Sequence, residues 1–453
     1  MKSILVVIML LMGYWLCAQP VDSLNREVRV LTLDECMQVA MDNNIQLKRV
    51  QNDARIADAN YFQSLMEFLP SVGVSMNYDL YNGTFFDNTA ARQVTEVTNS
   101  SSPRLDASWT IFNGFSTHYN RQSALNQKEA STYAVEEQKQ SVESNVLAAY
   151  LSVVLDKENI KISEGRIALL ESQLLREKKR NEIGVGNLEE VYNFQSQLAN
   201  ENLTLVNRKN ALMTDMLRLL QTLQLEVSRD YDVAPYDFDL DPDLVEIERF
   251  DEVLESSIAY SPGIKRAMSN AESASYQFKS ARAQHLPTVS LFARIGSSYS
   301  SNGARNPKNG VNDANATFGE QMDWNRYDYV NLSVSLPIFY NWRLRNATQV
   351  AKINRENASL DLKQTELDMT NTIQQVYLDL VSAQETYKAA EENLMALNQS
   401  FEYVATRYEN GNTDFYTYLE SLNNKNRAEI ELVNAKYRIV FRKKILDVYR
   451  GQL

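Results

Sequence analysis

The sequence predicts an internally duplicated membrane protein of mixed α and β class. Long α-helical coiled coils accompany four β-strands per chain, which close into a twelve-stranded β-barrel in a trimer. Three observations carry this. Glycine and proline are scarce, 14 and 9 among 453 residues, against a usual combined share of about 12%, so turns are few and elements long. The second half repeats the first: Tyr150-Leu151 returns as Tyr377-Leu378, 227 positions on. Four segments alternate apolar and polar residues with period two, and aromatics gather near their ends.

Composition excludes several classes. A mean hydropathy of -0.40 with 23% charged residues rules out a polytopic helical membrane protein, which needs several apolar runs of about 20 residues. The one apolar run is at the start. Lys2, the stretch Ile4 to Leu16 and the small Ala18 read as a secretory signal peptide over 1–18, cleaved after Ala18 or Gln19. Lipidation at Cys17 would require a small residue before it, where bulky Leu16 stands. Cys36 is the only other cysteine, so the exported chain relies on packing or assembly instead of a disulfide. Among Leu31, Leu33 and Val39 it reads as a buried small hydrophobe. A formal net charge of -12 argues against a nucleic-acid partner, because phosphate binding needs a basic face.

The duplication sets the domain organisation: a first repeat over 19–227, a linker over 228–248 that is rich in Asp, and a second repeat over 249–453. Leu69-Pro70-Ser71-Val72 recurs as Leu286-Pro287-Thr288-Val289, and Ile111-Phe112 as Ile338-Phe339. The offset of 227 then holds through Arg180 and Arg407, Glu182 and Glu409, Gly184 and Gly411, and Leu205-Val206-Asn207 and Leu432-Val433-Asn434. Each half contains a helix, two strands around a polar loop, a very long helix, a Gly-marked turn and another long helix.

From Phe115 to Ile183 only Gly165 interrupts a helical pattern of about 70 residues, roughly 100 Å of helix. Met369, Ile373, Val376, Leu380, Ala383, Tyr387, Ala390, Leu394, Leu397 and Phe401 alternate spacings of four and three, a coiled-coil seam. Its counterpart is Val142, Val146, Ala149, Val153, Asp156, Ile160, Ser163, Ile167, Leu170 and Leu174. Such a rod must bury its stripe against other rods, so each half folds as an antiparallel hairpin, with tips at Gly184 to Asn187 and Gly411 to Asp414.

The strands follow another period. Val72, Val74, Met76, Tyr78 and Leu80 alternate with Gly73, Ser75, Asn77, Asp79 and Tyr81. The same logic gives Leu105 to Ile111, Val289 to Ile295, and Val330 to Ile338. A half-buried sheet in a soluble protein is the commoner meaning of alternation. Here Tyr78, Tyr81, Phe85, Phe86, Phe112, Phe115, Tyr327, Tyr329, Phe339, Tyr340 and Trp342 lie near strand ends like interfacial girdles. The loops Thr84 to Pro103 and Ser301 to Asn325 are long and polar, like the outer loops of a barrel. Four strands cannot close a barrel, and an open edge in lipid would cost several kcal/mol per unpaired group. A trimer supplies twelve strands with a lumen, whereas a dimer gives eight and little lumen.

The duplicated Leu-Pro-strand, the Ile-Phe pairs and the Gly-marked tips resemble the TolC family of outer-membrane efflux proteins, over about Leu31 to Tyr449. The resemblance implies a homotrimer in outer-membrane lipid whose barrel continues as an α-helical coiled-coil barrel, a tunnel through the periplasm. A periplasmic adaptor and an inner-membrane pump would dock at its far end. It also implies site residues. Thr417 and Glu420 stand at the family's constriction positions, so three Glu420 carboxylates form a ring that favours cations. The ordinary reading of Glu420 is a solvated helix residue. Tyr408 fits a gate tyrosine, whereas Thr413 occupies the position of a gate arginine. With Glu189 and Glu190 opposite, a Tyr408–Glu190 hydrogen bond can form but the salt bridge is missing, and the lock is weaker or built differently. Gly184, Val185, Gly186, Asn187, Leu188, Gly411, Asn412 and Thr413 would face the adaptor, while equally serving as turn chemistry.

No catalytic or cofactor motif accompanies these features. His118 and His285, near strand boundaries, lack metal spacing and read as structural or interfacial. Gly184-Val185-Gly186 opens like a dinucleotide fingerprint but has Glu189 at the sixth position. With no phosphate-binding loop, transport energy must come from a partner, and the expectation is a passive duct and not an enzyme. The rival is a periplasmic adaptor or coiled-coil scaffold, which also uses helical hairpins. An adaptor has one hairpin between halves of small β-domains and no duplicated alternating strands with aromatic ends. A soluble polymerising rod is the third reading.

Overall fold

The computed structural model describes residues 29–226, 231–235 and 247–452. The expected signal segment 1–18, with Cys17, and most of the expected linker 228–248 lie outside the described residues. The first half runs β1 (Arg29–Leu31), α1 (Leu33–Asn43), α2 (Ile45–Met66), β2 (Ser71–Asp87), β3 (Arg92–Asn113), α3 (Ser116–Glu182) and α4 (Leu188–Leu223). After β4 (Tyr231–Val233) come α5 (Phe250–Tyr260), α6 (Pro262–Ala283), β5 (Thr288–Gly296), β6 (Tyr299–Ser300), β7 (Ala304–Arg305), β8 (Asn312–Asp313), α7 (Phe318–Trp324), β9 (Tyr327–Ser335), α8 (Arg343–Glu409) and α9 (Phe415–Arg450). Helices α1, α2, α3 and α4 have 11, 22, 67 and 36 residues. Helices α5, α6, α8 and α9 have the same four lengths in the same order.

Local chemistry places the ends. Thr32 and Glu35 form a capping box at the start of α1. Each half begins with two helices where the sequence suggested one. Asn44 leaves the helical region at ψ 113, and Ser261 caps α6 with Pro262 in its first turn. Helix α3 continues through Gly165, whose cost of about 1 kcal/mol against Ala is small beside the packing of 67 residues.

The chain divides into two compact units. The first comprises Met1–Asn44, Val142–Val245 and Ser382–Phe441. In it β1 pairs in parallel with β4, Leu31 opposite Val233. The Tyr150 hydroxyl donates to Ala234 O at 3.0 Å, and Lys157 Nζ to Val233 O at 2.6 Å. Seam residues Val142, Val146, Ala149, Val153, Leu170, Leu174, Ala383, Tyr387 and Ala390 are buried. Ser163, a polar seam position, donates to Glu201 Oε1 at 3.0 Å. Asp156, the other, is raised to about 6 by burial and then by Asp215. Cys36 is buried and free, its thiol pushed up to about 12 by burial and then by Glu35.

The second unit comprises Ile45–Ser141, Glu246–Val381 and Arg442–Leu453. Its main sheet is antiparallel with strand order β2-β3-β5-β9, and β6 also pairs with β3. The register sets Val74, Leu105 and Ile295 in one row and Ala107, Ala293 and Val330 in another. One face therefore carries Val72, Val74, Met76, Leu80, Leu105, Trp109, Leu291, Val330, Leu332 and Val334. The opposite face carries Arg104, Asp106, Arg294 and serines. Arg294 Nε lies 2.5 Å from Asp106 Oδ1, and Arg104 Nε 3.4 Å from Asp106 Oδ2. Strands β2 and β9 are the outer members of this order.

Two expectations change. Thr84 to Pro103 is not a loop: β2 and β3 pair continuously from Ser71 with Ser108 to Asp87 with Arg92. This outer half of the hairpin has polar side chains on both faces, Thr84 and Thr95, hydrogen-bonded at 3.0 Å, on one and Glu96 and Thr98 on the other, so it lacks the apolar alternation that marks a strand. Strand β9 ends at Ser335 instead of Ile338, because Pro337 has no N–H to give the ladder. The segment Ser301 to Asn325 holds β7, β8 and α7, the last opened by a Thr317–Glu320 capping box. Asp87 ties it to the hairpin: Oδ1 accepts from the Thr89 and Ala90 amides at 2.9 and 3.1 Å, and Oδ2 accepts from Ser300 Oγ and from Asn302 Nδ2. Among the described residues no helix is long and apolar enough to cross a membrane.

Candidate functional site

Both hairpin tips are built alike. At the end of α3 the Gly184 amide donates to Asn181 O at 3.0 Å and the Val185 amide to Arg180 O at 3.0 Å. At the end of α8 the Gly411 amide donates to Tyr408 O and the Asn412 amide to Arg407 O. This pair of bonds is a Schellman stop, which places the residue after the helix at positive φ. Gly184 has φ 78 and Gly411 φ 73. The next helices are capped by side chains. Asn187 Oδ1 accepts from the Glu189 amide at 2.9 Å, and Asp414 Oδ1 accepts from the Thr417 amide at 2.9 Å.

Above the turns Leu170, Leu174, Val191, Phe194, Tyr408, Phe415, Tyr418 and Leu422 form one buried cluster from all four helices. Phe194 meets Phe415 edge-on at 4.8 Å, and Tyr408 stacks on Tyr418 at 4.7 Å. Each such pair contributes about 0.5–1.5 kcal/mol beyond area burial, so the two tips are held as one body. The Tyr408 hydroxyl emerges from this cluster to donate to Glu190 Oε2 at 2.9 Å. Burial first, then that bond, then the nearby Glu177 and Glu190, push the phenol well above its ordinary range. Glu177, 1% exposed, is held by Arg180 at 3.2 Å.

Thr413 carries no charge, and an ion pair between other residues joins the two hairpins. Arg176 Nη1 pairs with Glu409 Oε1 at 2.7 Å, joining the end of α3 to the end of α8. Both side chains are about half exposed, so the pair contributes about 0.2–1 kcal/mol. Glu189 accepts from the Tyr416 hydroxyl at 3.2 Å. The structure thus brings together Tyr408, Glu190, Glu189 and the tip residues, and adds Tyr416, Arg176, Glu409 and Asp414. The Asp414 cap was legible as an acid directly before a helix; the Arg176–Glu409 pair was not, since the two residues are 233 positions apart.

Thr417 is exposed, and its hydroxyl donates to Asp414 Oδ2 at 2.8 Å. That bond and the amide bond hold the Asp414 carboxyl below its usual range, the amide being the larger cause. Glu420 is exposed one turn further along α9. Val185, Asn187, Leu188, Gly411 and Asn412 are exposed, with Gly186 and Thr413 half-buried. Among the described residues no group of His, Cys, Asp and Glu could hold a metal ion.

Long paired helical hairpins and a four-stranded antiparallel sheet within one chain are the elements of solved outer-membrane channels. The outer-membrane channel OprN is similar at TM-score 0.77 and 18% identity, over 93% of this chain and 90% of that one. VceC of Vibrio cholerae is similar at TM-score 0.77 and 16% identity, over 92% and 96%. The CmeC outer membrane channel of Campylobacter jejuni is similar at TM-score 0.75 and 18% identity, over 93% and 85%. No curated protein sequence matches. The outer membrane efflux protein profile matches residues 36–223 and 253–446. The chain belongs to that family, whose members are outer-membrane transport proteins related to TolC.

Proposed function

We propose that the protein is the outer-membrane exit duct of a tripartite efflux or type I secretion system, passively conducting substrates from an inner-membrane pump to the exterior. The observation that carries this is the four-stranded sheet. It has an exposed apolar face, a polar face with Arg104, Asp106 and Arg294, and two strands, β2 and β9, at the ends of its order. A sheet of this kind is stable in lipid only when its edges are closed. Three copies joined β9 to β2 make a twelve-stranded barrel with the polar face lining the lumen.

In this reading the chain is an internal duplication, 19–227 and 249–453 about a linker at 228–248, and the equal helix lengths support it. The helical hairpins form a periplasmic tunnel. The tip residues Gly184 to Leu188 and Gly411 to Thr413 face a periplasmic adaptor, and Glu420 with Thr417 lines the constriction. The Tyr408–Glu190 bond, with Glu189 and Tyr416 beside it, holds the end closed. The duct itself is a passive conduit in this reading, and the pump drives transport. Single-channel recording from detergent-extracted protein in planar bilayers tests the reading. Discrete steps from a trimer support it, and a soluble, non-conducting rod or adaptor-like monomer overturns it.

A further inference from the structure

At the foot of the sheet, where β5 and β9 meet α6 and α8, the second unit has a cavity of about 750 Å³. Its lining combines Arg282, His285 and Arg345 with Phe339, Tyr340 and Trp342. The charge there is one-sided. Ser273 to Arg294 and Tyr329 to Arg355 contain no Asp or Glu, although the whole chain carries a formal charge of -12. Arg282, Arg343 and Arg345 make no ion pair among the described residues. Their contacts are with rings: Arg345 lies 4.6 Å from the Trp342 ring centre and Arg343 5.3 Å from that of Tyr340.

The apolar row of β9, Leu332 and Val334, continues through Leu336 into Ile338 at the cavity wall, and Ile338 is 92% exposed. An acyl chain laid along that row would bring its headgroup to the guanidinium groups. Exposed aromatics beside basic residues are what a barrel presents at the level of lipid headgroups. Guanidinium is the side-chain group best matched to phosphate oxygens.

We propose that this cavity binds the phosphate of an anionic phospholipid in the inner leaflet of the outer membrane, with Arg282 and Arg345 as its ligands and Trp342 as the platform beneath Arg345. The site lies at the foot of an edge strand, so in the closed barrel each lipid sits beside a seam between copies. The proposal rests on the exit-duct reading, which sets the depth of the sheet in the membrane.

The test uses the full trimer in nanodiscs of phosphatidylcholine with added phosphatidylglycerol, and native mass spectrometry of the lipid it retains. Phosphatidylglycerol should be retained in preference to phosphatidylcholine. Arg282→Gln and Arg345→Gln should each weaken that preference about fivefold, the loss expected for one basic contact with an anionic lipid surface, whereas Arg282→Lys with Arg345→Lys should keep most of it. Equal retention of both lipids by the wild type, or an unchanged preference in the Gln variants, would overturn the proposal. So would glycerol 3-phosphate raising the melting temperature as much as phosphatidylglycerol does, which would make the ligand a soluble phosphate. If the Gln variants do not assemble, the wild-type lipid preference decides alone. Conductance of the Tyr408→Phe/Glu190→Gln trimer in phosphatidylcholine bilayers separates the two readings: channels without lipid preference remove only the lipid site, and no channels remove the duct.

Discussion

The Tyr408 hydroxyl donates to Glu190 Oε2 across 2.9 Å, linking the last turn of α8 to the first turn of α4. In it a side chain anchored in the shared aromatic cluster reaches a carboxylate on the other hairpin. The Tyr408 ring, stacked on Tyr418, stays in place when the hydroxyl is removed. Tyr408→Phe therefore deletes the bond with little change in packing, and Glu190→Gln removes the charge that strengthens it.

The double variant Tyr408→Phe/Glu190→Gln should raise the open fraction of the channel. A hydrogen bond to a charged group contributes about 1.5–3 kcal/mol, so the closed state should lose at least about tenfold in population. Open probability in planar bilayers reads this directly, and an unchanged value would remove the pair from the gate.

Val74→Asp should abolish assembly into the outer membrane, while Asn77→Asp should be tolerated. Both residues are exposed on β2 but point to opposite faces. A lysine or arginine on the lipid face costs about 2–4 kcal/mol at the membrane midplane and an aspartate somewhat less, still unfavourable, whereas Asn77 shares the polar face. Were the sheet soluble, Val74→Asp would be harmless, since Val74 is already 80% exposed. Heat-modifiable trimer in outer-membrane fractions distinguishes these outcomes.

Asp156 should make stability fall with rising pH. Its carboxyl is raised from an ordinary 3.8 to about 6, by burial and then by Asp215, with Arg208 opposing. The folded state thus holds the proton more tightly than the unfolded chain. This contribution is fully present below about pH 4 and is lost as pH rises through about 6. Asp156→Asn should raise the melting temperature above pH 6 and change it little below pH 4. The opposite pH trend in thermal unfolding would contradict the assignment.

Gly114→Ala should destabilise the protein more than Gly184→Ala. Both glycines have positive φ, 68 and 78, a conformation that costs an alanine about 1–2 kcal/mol. A β-carbon at 114 would also meet Ala283 O at 2.4 Å and Leu286 Cβ at 2.7 Å, whereas at 184 it meets open space. Thermal melts of the two variants should differ in that order.

The sequence made the long elements legible because repeated spacing survives averaging over many turns. The helix expected from Phe115 to Ile183 is found from Ser116 to Glu182, and its apolar seam residues, such as Val146 and Val153, are buried. The tips were legible through Gly184 and Gly411, which a Schellman stop requires. The outer part of the β2–β3 hairpin was hidden because polar residues stand on both of its faces, including buried Thr98 and Ser101, so it has no apolar period and Thr84 to Pro103 reads as loop. The Asp87 network was hidden for a related reason: its partners Ser300 and Asn302 are over 200 positions away. At the candidate gate, Tyr408 and Glu190 were placed by resemblance, whereas the Arg176–Glu409 pair depends on how two hairpins pack, which no local pattern encodes.

The central claim is that three copies of this chain form a conducting duct. It is tested most directly by single-channel recording of detergent-extracted Tyr408→Phe/Glu190→Gln protein in planar bilayers, with and without Glu420→Gln. The account predicts discrete, cation-selective steps whose selectivity falls when Glu420 is neutralised. A well-folded trimer of the gate variant that carries no current would contradict it.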